Sequence, residues 1–117
     1  MKVSLRKDEK TTGLFKKTTE FELFVKVELT PQERDAIKKA GIDDYILMEY
    51  AYKGLELNYQ VKSVVHCSDK GSESRFVASD AIGRNRMEQT LKEQLAALKS
   101  QIESQMSSSK ETETFEL

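Results

Sequence analysis

The two side chains best suited to nucleophilic chemistry, His66 and Cys67, are neighbours, and they are the single histidine and the single cysteine of the chain. A cysteine nucleophile needs an imidazole within hydrogen-bond reach to hold its thiolate form. Successive residues of a strand point to opposite faces of the sheet, so on a strand His66 and Cys67 are separated rather than paired. We therefore interpret them as a strand-end histidine and a half-buried thiol.

Metal and cofactor chemistry also lacks suitable residues. One histidine and one cysteine cannot complete the four-ligand set of a structural zinc site, and no acidic segment has the spacing of a calcium loop. Glu20 and Glu22 share a strand face with Lys26, which favours a solvated face over an acid–base pair. The glycines are too scattered for a phosphate-binding loop. We predict no catalytic residues, no metal site and no cofactor, and hence a protein that is not an enzyme.

The basic residues suggest one binding function, contact with nucleic acid. Lys16 and Lys17 belong to a basic N-terminal segment, while Arg84 and Arg86 fall in the first turns of a predicted helix, where positive charge opposes the helix dipole. Two other interpretations are favoured: the lysines protect an edge strand, and the arginines pair with Asp80 or Glu88. The formal net charge of −1 also argues against a general affinity for nucleic acid.

Apolar residues suggest the other binding function, contact with a protein. Residues 45–52 are apolar on both alternating faces, and one of these faces carries Met48, Tyr50 and Tyr52. Phe24 stands among charged residues on the wet face of another predicted strand. If the sheet face bearing these residues is uncovered, it forms a partner site. The alternative is that a short helix and the Leu14–Phe15 loop cover it completely.

These side chains must be positioned by strands and helices that the sequence marks clearly. Alternating apolar residues from Phe21 to Leu29 predict a half-buried strand whose odd-numbered side chains face the core. Thr30, Pro31 and Glu33 then have the N-cap, first-turn and capping-box positions of a helix that ends at Gly41. Further strands are predicted over residues 45–52, 55–65 and 74–78, and a short amphipathic one at residues 2–6, followed by a charged loop over residues 8–19.

A long second helix is predicted to begin at Ser79 and Asp80. Its apolar residues are spaced by four, four, three, four and four positions, which gives a stripe suited to packing on a sheet rather than a strict coiled-coil seam. The stripe consists of Met87, Leu91, Leu95, Leu98, Ile102 and Met106.

The fold predicted from these elements is α+β, with the order β-β-α-β-β-β-α, a mostly antiparallel sheet and the long C-terminal helix across one sheet face. Residues 1–106 are expected to form a single domain, since 117 residues have room for one core. Residues 107–117 lack periodicity and are expected to be a disordered acidic tail.

Composition sets the remaining expectations. A single cysteine allows no internal disulfide, no segment approaches the length of an apolar membrane span, and the N-terminus has no apolar signal region. We therefore expect a cytoplasmic protein with no membrane partner. The leading hypothesis is a non-enzymatic protein-binding module that acts through an exposed sheet face or the long helix, in a homodimer or with another protein. The alternative is a nucleic-acid-associated accessory protein.

Overall fold

The computed structural model describes the backbone of residues 1–53 and 58–110 and the side chains of residues 1–49 and 63–107. The chain order β-β-α-β-β-β-α agrees with the prediction and confirms the α+β class. The elements are β1 (Lys2–Thr12), β2 (Thr18–Glu28), α1 (Pro31–Ala40), β3 (Tyr45–Lys53), β4 (Asn58–Ser68), β5 (Glu73–Ala78) and α2 (Ala81–Lys110).

The five strands form one sheet in which β2 has the most neighbours. Strands β1 and β5 run antiparallel to β2 on its two sides, and β3 runs antiparallel to β4. Strand β4 joins β2 in parallel through Val27–Cys67 and Glu28–Ser68. The sheet is therefore mixed rather than purely antiparallel, with the order β1-β2-β4-β3 and β5 beside β2.

The core lies between one face of this sheet and the two helices. Leu23, Val25 and Val27 of β2 are buried there, as the alternation predicts, and Phe21 packs at the margin. The apolar stripe of α2 faces them: its residues from Met87 to Ile102 are buried and Met106 packs at the margin. Helix α2 thus covers one sheet face, which agrees with the predicted architecture.

The first helix has both of its predicted caps. The Thr30 hydroxyl accepts a hydrogen bond from the backbone N–H of Glu33, whose carboxylate accepts one from the backbone N–H of Thr30. Gly41 ends the helix with φ of 67°, a conformation in which a Cβ would be strained. In α2 the cap is Asp80 rather than Ser79, because an Asp80 carboxylate oxygen accepts the N–H of Gly83.

Two predicted boundaries differ from the structure. Strand β1 extends to Thr12 and β2 starts at Thr18, so most of the predicted charged loop over residues 8–19 is a hairpin. Pairing with β2 gives these charged residues ladder hydrogen bonds, and the local sequence pattern does not predict such long-range pairing. Helix α2 continues to Lys110, past the predicted domain end at 106. The rest of the predicted disordered tail, residues 111–117, lies outside the described residues.

Candidate protein-binding surface

Strand β3 is apolar on both faces, and the structure shows which of them α2 covers. Ile46 and Met48 are buried in the core, and Met48 is only 2% exposed. The residues between them point the other way: Tyr45 is 43% exposed and Leu47 is 45% exposed. The open face of β3 therefore carries Tyr45 and Leu47, while Met48, predicted as a partner-binding residue, lies in the core.

Of the other predicted partner-binding residues, Phe24 has a side chain that the structure describes, and Tyr50 and Tyr52 do not. Tyr50 and Tyr52 are part of the β3 backbone, but their side chains lie outside the described residues. Phe24 is half-buried on the open face of β2, beneath the Arg6 guanidinium at 3.8 Å from the ring centroid. That contact is a cation–π interaction, so Phe24 already has a neighbour within the chain that screens it from a partner.

Charge fills the rest of the open face where β1, β2 and β5 meet. Glu22, nearly buried, accepts a hydrogen bond from Arg75, and Arg6 pairs with Glu73 and more weakly with Asp8. These side chains satisfy one another across three strands. Among the described side chains of this face, the large exposed apolar ones are Tyr45 and Leu47 of β3.

Strand β3 is also an end strand of the sheet, and it differs from the opposite end strand in its charges. Strand β1 carries six charged residues among eleven, whereas β3 carries two among nine. Lysines and arginines on an edge discourage pairing with another chain. In the part of the chain that the structure describes, β3 is the sheet edge without that protection.

An open groove of about 480 Å³ adjoins this edge. It runs between the start of β3 and the middle of α2, and its walls include Ile42, Tyr45, Leu47, Ala97 and Leu98. Asp43 is the charged residue of the lining, and Gln94 and Gln101 are its neutral polar residues. A mostly apolar groove beside an unprotected strand edge has the composition of a surface that takes up an extended segment.

The four basic residues of the nucleic-acid hypothesis do not form one surface. Arg84 donates a hydrogen bond to the backbone carbonyl of Asp8 and lies 5.4 Å from the centroid of the Phe21 ring. It is partly buried and holds α2 against the first hairpin. Lys16 and Lys17 are exposed in the turn of that hairpin, and Arg86 is exposed on α2.

Glu88 takes part in a second contact between α2 and the hairpin. Lys7 lies 2.6 Å and Lys92 lies 3.2 Å from its carboxylate oxygens. The hydrogen bond from Lys7 lowers the pKa of Glu88 and outweighs the opposing effect of burial, with Lys92 contributing in the same direction. The predicted pairing of an α2 arginine with this carboxylate is thus replaced by pairing with lysines.

His66 and Cys67 lie on opposite faces of β4. His66 is exposed, whereas Cys67 is buried beside an open pocket of about 390 Å³ that is lined by α1, the residues that follow it and the end of β4. Burial, together with the negative charge of Asp44, raises the pKa of the Cys67 thiol to about 11. The thiol is therefore protonated near neutral pH, and its histidine neighbour points away from it.

We expect Cys67 to resist thiol reagents in the folded protein. At pH 8 an aromatic disulfide reagent should label native Cys67 more than about 100-fold more slowly than the urea-unfolded chain, because the folded thiol is buried and its pKa is high. Stopped-flow absorbance measures both rates. Equal rates in the folded and unfolded protein would contradict this assignment.

Two further features of the described residues bear on function. Among the residues that the structure describes, no three histidine, cysteine, aspartate or glutamate side chains are grouped so as to hold a metal ion. No helix in the same residues combines the length and apolar character needed to cross a membrane.

On β3, the exposed apolar residues that sequence reasoning did not select are Tyr45 and Leu47. Alternation placed them together on one face of β3 but did not say which face α2 covers. Comparison of the chain with protein-family models, with curated proteins and with solved structures finds no match.

Proposed function

We propose that the protein is a protein-binding module whose partner adds a strand to the outer edge of β3, and that this partner is a second copy of the chain. One observation carries the proposal: β3 is an end strand with few charges and with two large apolar side chains, Tyr45 and Leu47, more than two-fifths exposed. Such an edge is a template for pairing with another strand.

A second copy suits this edge because antiparallel pairing of two identical strands about a two-fold axis is self-complementary. Pairing would extend the sheet across two protomers and place apolar side chains of the open faces opposite each other. The opposite edge, β1, is a poor site for the same contact, since six of its eleven residues are charged.

The proposed self-association is tested by placing charged residues on the open face of β3. We expect the wild-type protein to be a dimer by light scattering, and Tyr45→Asp/Leu47→Asp to raise the dissociation constant at least about tenfold, because apolar burial is lost and like charges meet. Sedimentation velocity over a concentration series gives the constant, and circular dichroism checks that the variant is folded.

Val3→Asp is the control, since Val3 is an exposed apolar residue on the opposite edge of the sheet. It should leave the dissociation constant unchanged. A wild-type monomer at every concentration would refute self-association through β3, and so would a dimer that Tyr45→Asp/Leu47→Asp leaves intact while Val3→Asp dissociates it.

A nucleic-acid-associated function has weaker support from the geometry. Arg84 is engaged by Asp8 and Phe21, and Lys16 and Lys17 sit at the end of the hairpin. Arg86 instead lines a pocket with Met48 and Glu49 of β3. Non-specific affinity for nucleic acid grows with the number of phosphates that are neutralised together. Separated cations contact few phosphates at once, and we therefore place this function second.

A further inference from the structure

The turn of the β1–β2 hairpin exposes two large apolar side chains. Leu14 is 94% exposed and Phe15 is fully exposed. Gly13 bends the chain just before them with φ of 114°, and a Cβ there would meet the carbonyl oxygen of Lys16 at 2.1 Å. The turn thus depends on glycine, and it holds Leu14 and Phe15 out at its end.

This turn stands well beyond the body of the protein. Phe21 and its partner Ala78 form the last pair between β2 and β5. Past that point β1 and β2 pair with each other alone among the described strands, from Lys10–Glu20 out to Thr12–Thr18. At about 3.4 Å per residue, four residues from Glu9 to Gly13 carry the turn about 14 Å further out.

The end of the hairpin carries positive charge without any negative charge. Between Lys10 and Thr19 there are three lysines and no carboxylate. Lys16 and Lys17 are exposed directly beside Phe15. The net charge of −1 for the whole chain therefore hides a local excess of +3 at an apolar end.

We infer that this hairpin end, residues 10–19, is a contact site for the surface of an anionic phospholipid bilayer. Leu14 and Phe15 enter the interface between headgroups and acyl chains, and Lys10, Lys16 and Lys17 bind the phosphate and carboxylate headgroups around them. The contact is peripheral and reversible, and it needs no membrane-spanning helix. It is independent of the edge of β3.

The placement of the carboxylates favours a bilayer over a nucleic-acid duplex. Glu20, which pairs with Lys10, lies about 10 Å behind the turn, Glu9 lies about 14 Å behind it, and Asp8 and Glu22 lie further back. An interfacial segment enters only about 5–10 Å of the bilayer, so Glu20 lies at the limit of that depth and the other three carboxylates lie beyond it. A hairpin lying along a DNA groove would instead bring them against the phosphates.

The sequence offers a direct spectroscopic test because it contains no tryptophan. In the full chain Phe15→Trp places one selectively excited fluorophore at the hairpin end. Vesicles of phosphatidylcholine with about 30% phosphatidylserine should shift its emission to the blue, whereas pure phosphatidylcholine should bind it much more weakly. Ile82→Trp, an exposed position on α2, should show no shift with either vesicle.

Flotation of the unlabelled protein with the same vesicles measures the contributions of the side chains. We expect Leu14→Ser/Phe15→Ser to weaken partitioning about 100-fold and Lys16→Ser/Lys17→Ser to weaken it about 25-fold, which are the effects of losing two buried apolar groups and two surface cations. Circular dichroism of each variant should be unchanged, because these side chains have few neighbours within the protein.

Three results would overturn the inference. The first is the absence of any blue shift with anionic vesicles. The second is equal binding to neutral and anionic vesicles, which would remove the role of the lysines. The third is a shift produced by duplex DNA and not by vesicles, which would assign the hairpin end to nucleic acid instead.

Discussion

Replacing Phe76 with alanine is expected to lower the free energy of unfolding by about 3–5 kcal/mol, the largest single-residue effect that we anticipate. Phe76 is the largest of the fully buried side chains and lies opposite Leu23 in the β2–β5 pairing, beneath α2. Truncation to Cβ removes its apolar contacts and leaves a cavity in a close-packed core. Domains of this size are stable by about 5–15 kcal/mol, so the variant should be close to unfolding at 37 °C.

Urea denaturation followed by far-ultraviolet circular dichroism measures this loss. Phe15→Ala is a matched control, because it deletes the same atoms from a fully exposed phenylalanine. It should change the free energy of unfolding by less than about 0.5 kcal/mol. Both variants should be compared at one protein concentration, since self-association would add to apparent stability. Similar midpoints for Phe76→Ala and Phe15→Ala would show that the core does not lie where the structure places it.

The elements that the sequence predicted well are those whose local signals agree with their packing. Strand β2 alternates with period two and has one face in the core, and α1 carries a complete capping box and a glycine terminus. The α2 stripe has helical spacing and packs on the sheet through the same residues that define it. In each case a local pattern and a tertiary contact select the same side chains.

Long-range pairing explains what the sequence did not predict. The charged residues of β1 have low strand propensity, yet they pair with β2 in an unbroken register from Lys2–Glu28 to Thr12–Thr18. The parallel contact of β4 with β2 likewise depends on a connection through α1 and β3 that no local pattern specifies. Strand boundaries that depend on a distant partner strand therefore cannot be predicted from short segments of the sequence.

The candidate binding surface illustrates the same limit at a single strand. Strand β3 has apolar residues on both faces. Alternation places Tyr45 and Leu47 on one face and Ile46 and Met48 on the other, but it does not indicate which face is buried. Only the position of α2 decides which set is buried. The exposed turn at Leu14 and Phe15 was not predicted for a related reason. An apolar pair in a loop suggests packing on the core, and only the structure shows that this hairpin projects away from the core.

Replacing Arg75 with alanine should give the second-largest loss of stability, about 2–4 kcal/mol. Glu22 is only 6% exposed, and Arg75 Nε donates a hydrogen bond to its carboxylate at 2.5 Å. Asp8 stands directly opposite Glu22 on β1, so without the arginine two carboxylates face each other across the strand pair. The expected cost is below that of a fully buried pair because the Arg75 side chain is 43% exposed.

Two variants separate this effect from the general loss of an arginine. Arg6→Ala removes a guanidinium from the same sheet face, but its ion pairs with Asp8 and Glu73 are exposed, so we expect a cost of about 1 kcal/mol. Glu22→Gln/Arg75→Ala should be more stable than Arg75→Ala alone, because it leaves no uncompensated charge in a nearly buried position. Equal losses for Arg75→Ala and Arg6→Ala, with no recovery in the double variant, would mean that the Glu22–Arg75 pair contributes no more than a surface contact. The recovery is the sharper criterion, since only a desolvated carboxylate gains from becoming a neutral amide when its partner is gone.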